Sequence, residues 1–155
     1  MLRSLLCLVT ILLLPVTALA DDLFRVTNAC ASMAADSNSG LTYGTTVKAS
    51  AVNRVLRAPV AIPDGECISS IEVAGATTAP GGPIFASLYV LRSGSQVPDL
   101  VGRASIPEGK SGVYKTSFPL TCLYQGDAPY IVVALNAGGG VPYETASCSY
   151  IAISE

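Results

Sequence analysis

The sequence predicts an all-β fold: an antiparallel two-sheet β-sandwich of about seven to nine strands, cross-linked by two disulfides. Three observations carry this expectation. Beyond residue 20 the chain holds 13 Val, 8 Ile and 9 Thr, so 30 of 135 residues are β-branched; such side chains are stiff at χ1 and suit a pleated, half-buried surface. Turn formers recur with 9–15 residues between them, close to the ~8–12-residue spacing of sandwiches and barrels. They are Pro63-Asp64-Gly65, Pro80-Gly81-Gly82-Pro83, Ser93-Gly94-Ser95, Pro107-Glu108-Gly109, Gln125-Gly126-Asp127 and Gly138-Gly139-Gly140. No segment sustains a 3.6-residue apolar period, so no long helix is predicted, only a helical turn within Ala29–Ala35.

Residues 1–20 read as a signal peptide outside the fold. Arg3 provides a positive start, and Ala18-Leu19-Ala20 fits a small-x-small cleavage site before Asp21. The apolar run from Leu5 to Val16 is about a dozen residues, short of the ~20 that a membrane-spanning helix needs. No basic stop-transfer cluster and no second apolar span of that length follow it. Residues 21–46 read as an N-terminal extension or loop, because Ala31 to Thr46 is small, polar and Gly-containing. Residues 47–155 are then a single sandwich domain. The product is expected to be exported: secreted or extracellular, or periplasmic if bacterial.

Four cysteines remain beyond residue 20: Cys30, Cys67, Cys122 and Cys148. An even count in an exported chain reads as two disulfides, and sequence does not choose among the three possible pairings. Zinc is disfavoured, because no two of these cysteines are close in sequence and the chain has no His.

The strands follow in order. Leu56, Ala58, Val60 and Ile62 alternate with Arg57, Pro59 and Ala61, a half-buried strand that Pro59 assigns to an edge or bulge. Ile71 and Val73 alternate with Ser70 and Glu72. Phe85 to Leu91 is apolar on both faces, as a central strand is. Tyr114, Thr116, Phe118, Leu120 and Cys122 share one face, Tyr130 to Leu135 is strongly apolar, and a last strand carries Cys148, Tyr150 and Ala152. Weaker strands are predicted at Leu23–Thr27, Thr45–Ala51 and Leu100–Ile106. Two layers are needed so that each apolar face finds a partner.

The succession Leu56 to Ile62, Ile68 to Val73, Ala86 to Tyr89, Val97-Pro98, Phe118 to Leu120 and Tyr130 to Ala134 resembles jelly-roll β-sandwich modules of bacterial secreted and surface proteins. The resemblance spans roughly residues 50–140. It implies a jelly-roll-like sandwich serving as a non-catalytic binding or structural unit.

Composition excludes several chemistries. The formal net charge is −2, or −3 beyond residue 20, which leaves no basic footprint for nucleic acid. Without His, none of the fifteen serines beyond residue 20 has an imidazole base, and no Ser-x-x-Lys pair replaces it. Asn136-Ala-Gly-Gly-Gly140 lacks the Lys-Ser/Thr of a phosphate loop and reads as a plain loop. Asp36-Ser-Asn38-Ser-Gly40 has alternating oxygen ligands but Val47 at the twelfth position, where an EF-hand needs Glu. Asp36, Asn38, Asp64 and Glu66 are therefore only weak calcium candidates, and no other cofactor is expected.

Ligand contact is expected at the loops. Tyr43, Tyr124 and Tyr143 fall in predicted loops beside polar groups, whereas Tyr89, Tyr114, Tyr130 and Tyr150 fall in strands. Rings stack on apolar sugar faces while neighbouring polar groups fix orientation. The expected binding residues are Tyr124, Tyr143, Asp127 and Glu144. The expected function is a secreted non-enzymatic module that binds carbohydrate or protein at its end loops. Two alternatives stand beside it: a small extracellular carbohydrate-active enzyme using two carboxylates from Asp64, Glu66 and Glu72, and a structural or assembly subunit.

Overall fold

The structure, a computed structural model, describes residues 24–37, 40–50, 53–78, 82–136 and 146–155. The signal peptide expected over residues 1–20 lies outside them. Eleven strands run in the order β1 (Arg25–Ala29), β2 (Ala34–Ala35), β3 (Leu41–Tyr43), β4 (Val47–Ala49), β5 (Arg54–Pro59), β6 (Cys67–Thr77), β7 (Ile84–Leu91), β8 (Asp99–Ile106), β9 (Ser111–Cys122), β10 (Ala128–Leu135) and β11 (Ala146–Ser154). A 3₁₀ turn over Cys30–Ser32, within the predicted helical turn, is the one helical element among the described residues.

Two antiparallel sheets form the sandwich. One has the order β3-β4-β11-β6-β9, with β1 also pairing β11; the other has the order β2-β5-β10-β7-β8. The count exceeds seven to nine because β2 and β3, only two and three residues long, are too short to show an alternation, whereas β4 lies within the strand predicted at Thr45–Ala51. The segment 25–43, read as largely extension, places β1 and β3 in the first sheet and β2 in the second. Pro59 lies on β5 beyond its two-residue pairing with β2, where its missing N–H costs nothing.

The core lies between the layers. Ile71, Val73, Ile151 and Ile153 of the first sheet face Leu56, Ile84, Leu88, Ile131, Val133 and Leu135 of the second, all fully buried. Burying each such side chain stabilises the fold by ~1.5–3 kcal/mol relative to its exposure.

Both disulfides form. Cys30–Cys148 links residues 118 apart in the core, where the chain leaves β1 and crosses towards the second sheet. Cys67–Cys122 joins two residues directly opposite each other on β6 and β9.

Register shifts alter the predicted faces. On β9, Phe118 to Leu120 oppose Ser69 alone, so Tyr114 and Phe118 pack on the core while Leu120 stands exposed. A further shift in β11 at Ser149 directs Cys148, Ile151 and Ile153 inward together; such bulges re-aim side chains. Gly102 of β8 lies under the Phe118 ring, and a Cβ there would collide with it.

Candidate functional site

Three connections meet at one end of the sandwich, the near end: residues 60–66 between β5 and β6, 92–98 between β7 and β8, and 123–127 between β9 and β10. Backbone bonds extend the β6–β9 pairing into them beyond the Cys67–Cys122 bridge. The Gly65 N–H donates to the Leu123 carbonyl at 2.8 Å, and the Leu123 N–H donates to the Glu66 carbonyl at 3.0 Å. The Val60 N–H donates to the Pro129 carbonyl at 3.0 Å, which ties the first connection to β10.

Asp127 fastens the other two connections. Its side chain is only 5% exposed. Oδ1 accepts the Ser93 N–H at 3.0 Å; Oδ2 accepts Arg92 Nη1 at 2.7 Å and the Tyr124 N–H at 3.2 Å. These donors, the Ser93 N–H first and the Arg92 side chain next, hold the carboxyl below the usual carboxylate range. Arg92 also donates to the Cys122 carbonyl at 3.2 Å and pairs with Asp99 at 3.6 Å. Gly126 turns the chain at φ +90°, in the left-handed region that favours glycine.

Tyr124 stands on this pinned loop with 66% of its surface exposed. The exposed apolar side chains Val97, Leu100 and Leu120 belong to the same end. A ring held on a fastened loop loses little freedom when it meets a ligand, which favours binding.

The predicted site residues are distributed unevenly. Tyr124 and Asp127 share one turn, but both Asp127 oxygens are engaged within the protein, so its role there is to position the turn. Tyr143 and Glu144 lie outside the described residues, in the segment between Leu135 and Ala146. Those flanking residues belong to the opposite, far end, about 25 Å from Asp127 along the eight-residue strand β10. Of the calcium candidates, Asn38 lies outside the described residues and Asp36 pairs with Arg57 at 3.2 Å. Asp64 and Glu66 sit in the turn before β6, at the near end, whereas Asp36 bonds through its N–H to Val55 on the far-end half of β5. Among the described residues no three His, Cys, Asp or Glu side chains gather where a metal could be held.

Glu72 stands apart from Asp64 and Glu66. It lies six residues up β6 from Glu66, roughly 20 Å, with Oε1 accepting from Arg25 Nη2 and from the Tyr150 hydroxyl, both at 3.0 Å. Tyr43 belongs to the β3–β4 hairpin, where a shallow cavity of about 230 Å³ is lined by Thr42, Thr46 and Lys48 among others. Arg92, the organiser of the near end, is absent from the sequence-level set; its signal is a cation directly after an apolar strand and before Ser93-Gly94.

In structure the chain is similar to the carbohydrate-binding module CBM36 solved in complex with calcium and xylotriose. The TM-score is 0.50 at 18% identity, covering 83% of this chain and 99% of that one. It is also similar to CsCBM6-3 from Clostridium stercorarium, solved in complex with cellobiose, with a TM-score of 0.54 at 12% identity, covering 84% and 93%. A family 6 carbohydrate-binding module gives 0.51 at 13%, covering 84% and 92%. The chain has the jelly-roll fold of carbohydrate-binding modules. No protein-family model matches the chain, and no curated protein matches it in sequence. The jelly-roll sandwich presents its connections at two ends, and the near end is the one that the described residues build in full. Among the described residues no helix is long and apolar enough to cross a membrane.

Proposed function

We propose that this chain is an exported, non-enzymatic carbohydrate-binding module that engages its ligand at the near end, around Tyr124. The observation that carries the reading is the exposed Tyr124 ring on a loop fastened by Asp127, Arg92 and the Cys67–Cys122 bridge. An aromatic ring so held offers a flat apolar surface to the C–H face of a sugar. The likeness in fold to modules solved with xylotriose and cellobiose supports a glycan as the ligand. Export is supported by the leader-like residues 1–20 and by two disulfides, which persist in oxidising compartments. Ring stacking needs no metal and no proton transfer, so neither is part of this reading. A glycan array probed with the purified protein and with Tyr124→Ala tests it. The expected result is a set of saccharide ligands lost in the variant; an array without ligands, or ligands retained by Tyr124→Ala, overturns it.

A further inference from the structure

The longest strand of the fold has an open edge. Among the described residues, β9 pairs β6 along one side and no strand along the other. None of its twelve residues is buried, and only Tyr114, Phe118, Thr121 and Cys122 are half-buried. The other sheet edges are blunted against pairing: β1, β2 and β3 are two to five residues long, and β8 carries Asp99 and Arg103. On β9 itself the half from Phe118 onward is closed by Pro119 and by the irregular register opposite Ser69. Ser111 to Ser117 has no such device beyond Lys115, and Glu72 stands directly opposite Lys115 on β6.

The hydrogen-bonding phase of this open half is fixed. The Thr77 N–H donates to the Lys110 carbonyl at 2.8 Å, and bonded pairs alternate along an antiparallel ladder. Gly112, Tyr114 and Thr116 therefore turn their backbone groups towards β6. Those of Ser111, Val113, Lys115 and Ser117 point away from the sheet, and among the described residues no hydrogen bond engages them. Val113, on the outward face beside Ala74, is 55% exposed. Four N–H and four C=O groups in a row are a template for one more strand.

We infer that this strand is supplied by a second copy of the chain, whose β9 runs antiparallel to the first across a two-fold axis at Tyr114. The open half is complementary to itself in that register. Ser111 meets Ser117 of the second copy and Val113 meets its Lys115, so every free residue exchanges both bonds with a counterpart. An axis at Lys115 sets two ammonium groups face to face, and one at Val113 leaves Ser117 unpaired; charge and bonding both select Tyr114. Antiparallel docking also sends the two near ends to opposite poles of the dimer. The connections there carry Asp64, Glu66 and Asp127 against Arg92 alone, so their mutual repulsion is least in this arrangement. The edge lies away from Tyr124, and the inference stands or falls independently of that site.

Sedimentation velocity of the purified protein over a rising concentration series tests the assignment. A monomer–dimer equilibrium is expected. Val113→Pro removes one outward N–H and no bond to β6; it is expected to abolish the dimer, with circular dichroism showing the fold retained. Two substitutions at the same exposed site test the register even if the proline variant fails to fold. Val113→Lys sets two like-charge pairs against Lys115 of the other copy and weakens the dimer by up to about ten-fold, whereas Val113→Glu sets two opposite-charge pairs and tightens it. The inference is overturned if the native protein stays monomeric throughout the series, which would leave the edge to a strand of another protein. It is also overturned if a folded Val113→Pro dimerises as the native protein does, or if Val113→Lys and Val113→Glu move the equilibrium in the same direction.

Discussion

The carboxylate of Asp127 and the guanidinium of Arg92, 2.7 Å apart, join the two connections that frame the exposed Tyr124. Each group also reaches backbone on the other's side: Asp127 accepts from Ser93, and Arg92 donates to Cys122. Removing either partner therefore loosens both loops. Asp127→Ala is expected to lower the melting temperature and to weaken saccharide binding without touching the Tyr124 ring. Because the native carboxyl is held below its ordinary value of 3.8, its contribution is present above that value and is lost as pH falls through the depressed native one. The difference in melting temperature between native protein and variant should therefore be full at neutral pH and shrink below about pH 4.

Tyr124→Ala is the complementary case. The side chain is mostly exposed, and surface substitutions of this kind change stability by no more than about 0.5 kcal/mol. Thermal unfolding should be unaltered while near-end binding is lost.

Much of the sandwich was legible in the sequence because an alternation of apolar and polar residues directly encodes which face is buried. Leu56, Ala58, Val60 and Ile62 point inward or lie half-buried as their spacing required, and Phe85 to Leu91 is a central strand between β10 and β8. The failures occur where the period breaks. Nothing in Ser147-Cys148-Ser149-Tyr150 announces the bulge that separates Cys148 from Tyr150, and an unbroken period puts Leu120 on one face with Tyr114 and Phe118, which the shift opposite Ser69 undoes. Cysteine pairing was unreadable because it depends on which distant strands become neighbours. Asp127 stood out as a polar residue near a tyrosine; its attachment to Arg92, 35 residues away, is a product of topology and has no local signature.

Gly102 tests the packing of the layers. Alanine at this position pushes into the Phe118 ring, and overpacking of this kind costs ~1–3 kcal/mol. Gly102→Ala should shift the urea midpoint down by a corresponding amount, whereas Gly94→Ala tests turn strain alone, because a Cβ there meets nothing within 4 Å although φ is +79°.

The two bridges should contribute unequally. Cys30–Cys148 spans 118 residues and Cys67–Cys122 spans 55, so loop-closure entropy alone favours the former by about 0.7 kcal/mol. The first pair is also fully buried, so replacing it leaves a cavity as well. Urea unfolding of the two Cys→Ala double variants should show the larger loss for residues 30 and 148; a larger loss for residues 67 and 122 would refute this ranking.

Chelation distinguishes stacking from metal-mediated recognition. If Tyr124 acts as a ring platform, EDTA leaves both saccharide affinity and melting temperature unchanged. Loss of binding with EDTA, restored by calcium, would place a cation in the site and direct attention to Asp64 and Glu66 in the adjoining turn.

The most direct test is to map binding residue by residue, following backbone amide NMR signals during titration with the tightest soluble oligosaccharide. Saturable shifts are expected to concentrate at Tyr124, Gly126, Ser93 and Val97, with the far-end residues Thr77, Lys110 and Ala146 unmoved. Shifts confined to the far end, or no saturable shift with any oligosaccharide, would contradict a near-end site.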